Sequence, residues 1–173
     1  EANQQLGFTA QQTLDYAQAL YEKKFVTYPR TDSRYLSDDM EASVPAFVAA
    51  AASVCKASVP VAINTKQVCN SKKVSDHHAI VPTVSAGKAD LDALPTGERE
   101  VLKLLSMGLL RAVSEAYRYA ETTVILDCCG HSFTAKGKTV LVPGWHGYGQ
   151  EKEETADRLP DLAEGQELSL IHI

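Results

Sequence analysis

Apolar and polar positions along the chain recur with two different periods. From Ala10 to Lys24 there is neither glycine nor proline; Leu14, Ala17 and Tyr21 form an apolar stripe at helical spacing while Gln11, Asp15, Gln18 and Glu22 share another face. Thr9, followed three residues later by Gln12, supplies a capping-box start, so a helix is expected there. Phe25-Val26-Thr27-Tyr28 is β-rich and ends at Pro29, which predicts a short strand and then a turn. Ser37 with Asp38 and Asp39 has the character of another helix start, and the alanine-rich run after Pro45 continues as helix to about Cys55. Residues 58–75 are mixed, with a basic, polar turn at Asn70-Ser71-Lys72-Lys73. A long amphipathic helix is expected from Thr96 to about Tyr117, with Val101, Leu104, Leu105, Leu109 and Val113 on one face. After it the period shortens. Glu121–Leu126 and Ser132–Val142 read as strands joined around Gly130, followed by a Pro143-Gly144-Trp145 turn and an acidic connector through Gly165.

With 173 residues and 45% hydrophobic content, the chain can bury one ordinary core or pieces of several. Its most apolar stretch, Val44–Val54, contains Pro45 and falls far short of the roughly 20 residues that cross a bilayer. The start, Glu1-Ala2-Asn3-Gln4-Gln5, has neither the basic residues nor the apolar run of a signal peptide, so a cytoplasmic location is expected. Cys55, Cys69, Cys128 and Cys129 form no C-x-x-C pair and no zinc-type spacing with histidine, and read as free thiols. The net charge of −5 argues at first against nucleic acid. It arises, however, from the acidic stretch Glu151–Glu167, which carries seven acids against two bases and leaves residues 1–150 balanced. Between Tyr21 and Arg34 four bases (Lys23, Lys24, Arg30, Arg34) face two acids, Glu22 and Asp32. A local DNA-contacting surface is compatible with that distribution, and a strongly basic non-specific binder is not.

The informative segment is Thr27-Tyr28-Pro29-Arg30-Thr31-Asp32-Ser33, preceded on the helix by Leu20-Tyr21-Glu22-Lys23-Lys24. It resembles the active-site signature of type IA DNA topoisomerases, and with Arg34-Tyr35-Leu36 it is most similar to the topoisomerase III branch. A second segment, His77-His78-Ala79-Ile80-Val81-Pro82-Thr83, resembles that branch's histidine motif. Gln4-Gln5-Leu6-Gly7-Phe8 matches the start of the family's tyrosine domain, and the likeness extends more loosely through Trp145.

The chemistry of these residues agrees with the resemblance. A phenol with a pKa near 10 is ionised to about one part in a thousand at pH 7, a deficit of roughly 4 kcal/mol, so a tyrosine nucleophile needs help. Arg30, two residues after Tyr28, points to the same side of an extended chain and can reach the same phosphate with both prongs of its guanidinium. Pro29 fixes the backbone between them. The resemblance makes His77 a phosphate contact or proton carrier, with His78 its weaker neighbour. Gln18 and Glu22, four apart, coincide with polar positions of the family pattern, which implies a part in ordering the site or the DNA; a solvated helix face is the plain alternative. Thr27 belongs to the same DNA-binding or site-ordering group. Thr31, Asp32 and Ser33 equally suit turn formation, and a surface ion pair of Arg30 with Asp32, worth little, is the weaker alternative to a phosphate contact.

The resemblance implies an α+β architecture: a winged-helix-like tyrosine domain over 1–86, a helical segment over 87–118, and part of a β-rich, DNA-encircling arch over 119–173 with an acidic tail. It implies an ATP-independent topoisomerase that cuts one strand through a 5′-phosphotyrosine, passes a strand and reseals the break, on single-stranded DNA in the nucleoid. The family's Mg²⁺ site lies in a toprim-type module N-terminal to the tyrosine domain. Asp90-Leu91-Asp92 has the letters of an acidic motif but sits after the histidine motif, where it reads as a turn. The Mg²⁺ ligands are therefore expected outside this chain, with no metal held by its own residues. The final Leu168-Ser169-Leu170-Ile171-His172-Ile173 matches nothing expected of the family and reads as a fragment boundary that leaves a terminal β-segment incomplete. Two other readings compete: a single-stranded-DNA-binding module without chemistry of its own, and a tyrosine recombinase or type IB enzyme, whose H-x-x-R is missing because Ala79-Ile80-Val81 follows the histidines.

Overall fold

The computed structural model describes residues 1–148 and 159–168. These form two compact units, one built from residues 1–116 with the turn at Gly144–Tyr148, the other from residues 117–143 with 159–168. The mixture of helices and an antiparallel pair of strands is α+β, as expected.

In the first unit a short helix α1 (Ala2–Leu6), not foreseen in the sequence, leads into α2 (Ala10–Glu22). The capping box is complete: Thr9 Oγ1 accepts from the Gln12 amide at 3.1 Å, and the Gln12 side chain accepts from the Thr9 amide at 2.9 Å. α2 stops two residues before the expected Lys24 because Lys24 turns left-handed, with φ 61°. Its amide then donates to the Tyr21 carbonyl (2.8 Å) and that of Phe25 to the Leu20 carbonyl (2.9 Å), the helix-ending pattern that usually employs glycine. The expected strand 25–28 is reduced to a single bridge, Val26 opposite Pro82, because the segment finds one short partner rather than a sheet.

Asp38–Ser43 forms a 3₁₀ turn that runs into α3 (Val44–Cys55), with Pro45 in the first turn. After α4 (Thr65–Val68), the basic turn is a 3₁₀ turn at Ser71–Lys73. Asp90 caps its own turn by accepting from the Asp92 amide at 3.1 Å, which agrees with a turn reading of Asp90-Leu91-Asp92. The long helix α5 (Thr96–Val113) ends four residues before the expected Tyr117, where Ser114 becomes extended and its hydroxyl donates to the Leu110 carbonyl at 2.6 Å. Its buried face is also rotated from the expected one: Val101, Leu102, Ser106, Leu109, Leu110 and Val113 are buried, whereas Leu104 and Leu105 are half-exposed.

α5 contributes to two cores. Leu109, Leu110 and Val113 pack with Leu36, Val44, Val48 and Val81 in one; Val101 and Leu102 pack with Ala17, Leu20, Val26 and Val54 in the other. α5 therefore shares its packing with residues 1–86. Lys23, at the end of α2, is hydrogen-bonded to the buried carboxylate of Glu98 on α5, which fixes the end of α2 that precedes the tyrosine segment.

The second unit is a hairpin of β1 (Arg118–Cys128) and β2 (His131–Val142), both longer than expected. Cys129 and Gly130 both have positive φ, the signature of a two-residue primed turn, so pairing runs to the Cys128–His131 pair. Residues 149–158 of the acidic connector and 169–173 of the expected terminal β-segment lie outside the described residues. Among the described residues, no helix is long and apolar enough to cross a membrane.

Candidate active site

Tyr28 is half-buried between two aromatic neighbours. Tyr21, from the last turn of α2, meets it edge-on with centroids 5.4 Å apart, and the His77 ring lies 4.5 Å away, tilted by 51°. The placement follows from backbone lacing. The Thr27 amide donates to the Val81 carbonyl (3.0 Å), the Val81 amide donates to Thr27 Oγ1 (3.0 Å), and that hydroxyl donates to the Ala79 carbonyl (3.3 Å). One residue pair further out, the Thr83 amide reaches the Phe25 carbonyl at 2.9 Å and its hydroxyl reaches the Lys24 carbonyl at 2.6 Å. The tyrosine and histidine segments, far apart in sequence, are thus held side by side.

Beyond the buried Pro29, the chain continues along the same partner. Thr31 Oγ1 donates to the His77 carbonyl at 2.8 Å and accepts from the Ser33 amide at 3.1 Å; Asp32 accepts from Ser75 Oγ at 3.1 Å. Ser33 Oγ lies 3.0 Å from the Tyr35 carbonyl and 3.2 Å from that of Lys73. Asp32 does not pair with Arg30, because Ser75 occupies its carboxylate. Arg30 is exposed and has neither ion pair nor hydrogen bond among the described residues, so its guanidinium is available to a ligand. Together Arg30, Thr31, Asp32, Ser75, Asp76 and His77 line an open cleft of about 390 Å³ beside Tyr28. An exposed guanidinium and an exposed imidazole there suit an anionic oxygen.

The remaining candidates are placed differently. Gln18 Nε2 donates to Glu22 Oε1 at 3.1 Å, so these two engage each other on α2, and Tyr21 is the residue of that helix that touches Tyr28. Tyr21 was read as part of the apolar stripe and of the helix segment before the signature, but was assigned no role at the site; its spacing of seven from Tyr28 carries no signal by itself. His78 is half-buried with Nδ1 2.8 Å from the Ala79 carbonyl, and since a carbonyl only accepts, Nδ1 carries the proton. Ser75, which sequence reading missed, anchors Asp32.

No cysteine lines this cleft. Burial pushes the Cys55 thiol up to about 11, with Lys103 pulling weakly the other way; burial first, then Glu41, Asp38 and Asp39, raises Cys69. Among the described residues no group of three or more His, Cys, Asp or Glu is placed to hold a metal ion, so no Mg²⁺ ligand set is assembled among them.

The family model described as DNA topoisomerase matches residues 1–173. The chain is similar to the DNA topoisomerase 3 of Bacillus licheniformis (38% identical over 186 residues, covering 98% of this chain and 25% of that protein) and of Vibrio cholerae (38% over 175 residues, 95% and 27%). The DNA topoisomerase 3 of Bacillus subtilis is 36% identical over 187 residues, again covering 98% of this chain and 25% of the relative. The chain thus spans about a quarter of the length of the curated relatives it matches.

Proposed function

The chain belongs to the DNA topoisomerase family, and from that premise we propose that it supplies the nucleophile of a type IA enzyme that cuts and reseals one DNA strand. The observation that carries this reading is the half-buried Tyr28 set against His77, with the unpaired guanidinium of Arg30 opening on the adjoining cleft. The phenolic oxygen of Tyr28 attacks a backbone phosphorus. A tyrosine–phosphate bond forms as the bond to the neighbouring 3′ oxygen breaks, and that oxygen leaves with a proton. The product joins Tyr28 to the 5′ phosphate side of the break. Religation is the reverse step, and because one phosphoester replaces another, no ATP is needed. Arg30 binds the phosphate oxygens that gain charge during attack, and His77 contacts the phosphate or carries the proton. Thr27, Thr31 and Ser33 hold the two segments in register, Asp32 in the cleft wall and His78 beside His77 help to order the site, and Gln18 with Glu22 orders the α2 face next to Tyr21.

In the full-length protein, residues 1–86 serve as a winged-helix-like tyrosine domain and the hairpin as part of the DNA-encircling arch. Single-stranded DNA is the substrate, the nucleoid the working location, and a toprim-type module of the same polypeptide carries the Mg²⁺ ligands. Taken alone, the chain is a single-stranded-DNA-binding module without catalysis of its own. The test is Tyr28→Phe in the full-length protein, with covalent complexes on a labelled oligonucleotide counted after denaturant trapping. Loss of the adduct, with single-strand binding held within a few fold, is the expected result; adduct at the wild-type level would remove Tyr28 from the nucleophile role.

A further inference from the structure

Beside the Tyr28 cleft, across the Asp32–Ser75 hydrogen bond, lies a second open cleft of about 490 Å³ whose walls include Asp32, Arg34, Tyr35, Lys72, Lys73 and Ser75. The two differ in charge. The first carries Arg30 against Asp32 and Asp76, with His77; the second carries three bases against Asp32 alone. Arg34 is four residues beyond Arg30, a chain span of at most about 14 Å, enough for the two guanidinium groups to reach different phosphates of one strand.

Exposed lysines are ordinarily solvated and nothing more. Here the turn that presents them is fixed on several sides. Asn70 Oδ1 accepts from the Lys72 amide at 3.2 Å, and the Ser71 amide donates to Asp38 Oδ1 at 3.2 Å while the Asp38 amide donates to Ser71 Oγ at 2.7 Å. The Lys73 carbonyl faces Ser33 Oγ at 3.2 Å, which ties the turn to the tyrosine segment. Lys73 Nζ stands 4.5 Å from the centroid of the Tyr35 ring and 3.1 Å from its hydroxyl, so an aromatic neighbour rather than a carboxylate positions the cation. No carboxylate pairs with Arg34, Lys72 or Lys73 among the described residues.

We propose that Arg34, Lys72 and Lys73 form a second phosphate cradle, which grips the backbone of the single DNA strand a few nucleotides from the phosphate attacked by Tyr28. The proposal rests on the reading of Tyr28 given above and adds residues to its substrate path. Tyr35 is a positioning residue for Lys73, and Ser33 couples the cradle to the tyrosine segment.

The test is equilibrium binding of a fluorescent single-stranded oligonucleotide to the full-length protein by anisotropy, with salt varied from about 50 to 200 mM. Each single-strand phosphate that a variant no longer neutralises lowers the slope of log affinity against log salt by about 0.7. Lys72→Gln with Lys73→Gln is expected to lower the slope by about 1.4, and Arg34→Gln by about 0.7. Lys72→Arg with Lys73→Arg restores the wild-type slope, which separates an effect of charge from an effect of folding. Lys66→Gln with Lys88→Gln, the same charge change outside both clefts, leaves the slope unaltered. An unaltered slope in the Lys72/Lys73 variant, or an equal fall in the Lys66/Lys88 variant, would overturn the cradle. Because binding is read without cleavage, a wild-type protein that formed no covalent adduct would instead sink the nucleophile assignment and leave the cradle standing.

Discussion

Replacing Thr27 with valine keeps the shape of the side chain and removes one hydroxyl. That hydroxyl accepts from the Val81 amide at 3.0 Å and donates to the Ala79 carbonyl at 3.3 Å. Val81 is 3% exposed and Pro82 beside it is fully buried, so water cannot readily replace the missing acceptor. A buried donor left unsatisfied costs about 1–3 kcal/mol, whereas the long bond to Ala79 adds under about 1 kcal/mol. Since 1.4 kcal/mol is a factor of ten, exchange at the Val81 amide should quicken by roughly ten- to a hundredfold, and the measurement is hydrogen exchange on peptides covering residues 77–83. Thr27→Ser keeps the hydroxyl and loses only a methyl group, so its exchange should stay much nearer the wild type. The same lacing sets the 4.5 Å approach of Tyr28 to His77, so cleavage should weaken in the valine variant and largely survive in the serine variant. Wild-type exchange in Thr27→Val would show that the lacing does not hold the two segments together.

Arg30→Lys keeps the charge and loses the planar fork, and is expected to slow single-strand cleavage at least tenfold, about 1.4 kcal/mol in barrier, in single-turnover assays; an unaffected rate would reduce Arg30 to a surface residue. Lys24 occupies a left-handed conformation that favours glycine, so Lys24→Gly should raise the midpoint of chemical denaturation, with a net gain under about 1 kcal/mol after the added freedom of the unfolded chain is subtracted. The Cys55 thiol titrates at about 11 in the folded protein against 9.0 ordinarily. Between those values the folded state holds the extra proton, so the stabilisation from Cys55 is complete below pH 9 and is lost as pH rises through 11. Subtracting the stability–pH curve of Cys55→Ala from that of the wild type should isolate this fall, and a flat difference would contradict it.

Local signals were the most legible in the sequence. The capping box of α2, the Pro45 helix start and the hairpin around Gly130 depend on neighbours a few residues away, and each formed. Lys24 misled because its left-handed turn is enforced by Thr83, a partner far along the chain whose hydroxyl bonds its carbonyl. The buried face of α5 was misjudged because Leu102 and Leu110 meet two different cores, so no single stripe describes the helix. At the site, motif order pointed to Tyr28, Arg30 and His77, and the geometry sets them around one cleft region. Tyr21 and Ser75 were missed for the same physical reason as the Lys73–Tyr35 pairing: each matters through a tertiary neighbour, and nothing in its own spacing announces it.

In the proposed reaction Tyr28 forms the covalent bond, and does so with a fixed polarity. The direct measurement is end-label mapping of the adduct trapped on an oligonucleotide cut by the full-length protein, with the linked peptide identified by mass spectrometry. The expected product is a peptide containing Tyr28 joined to the 5′ phosphate of the downstream fragment, with a free 3′ hydroxyl on the other. A 3′-phosphotyrosine, or an adduct on any other residue, would contradict it.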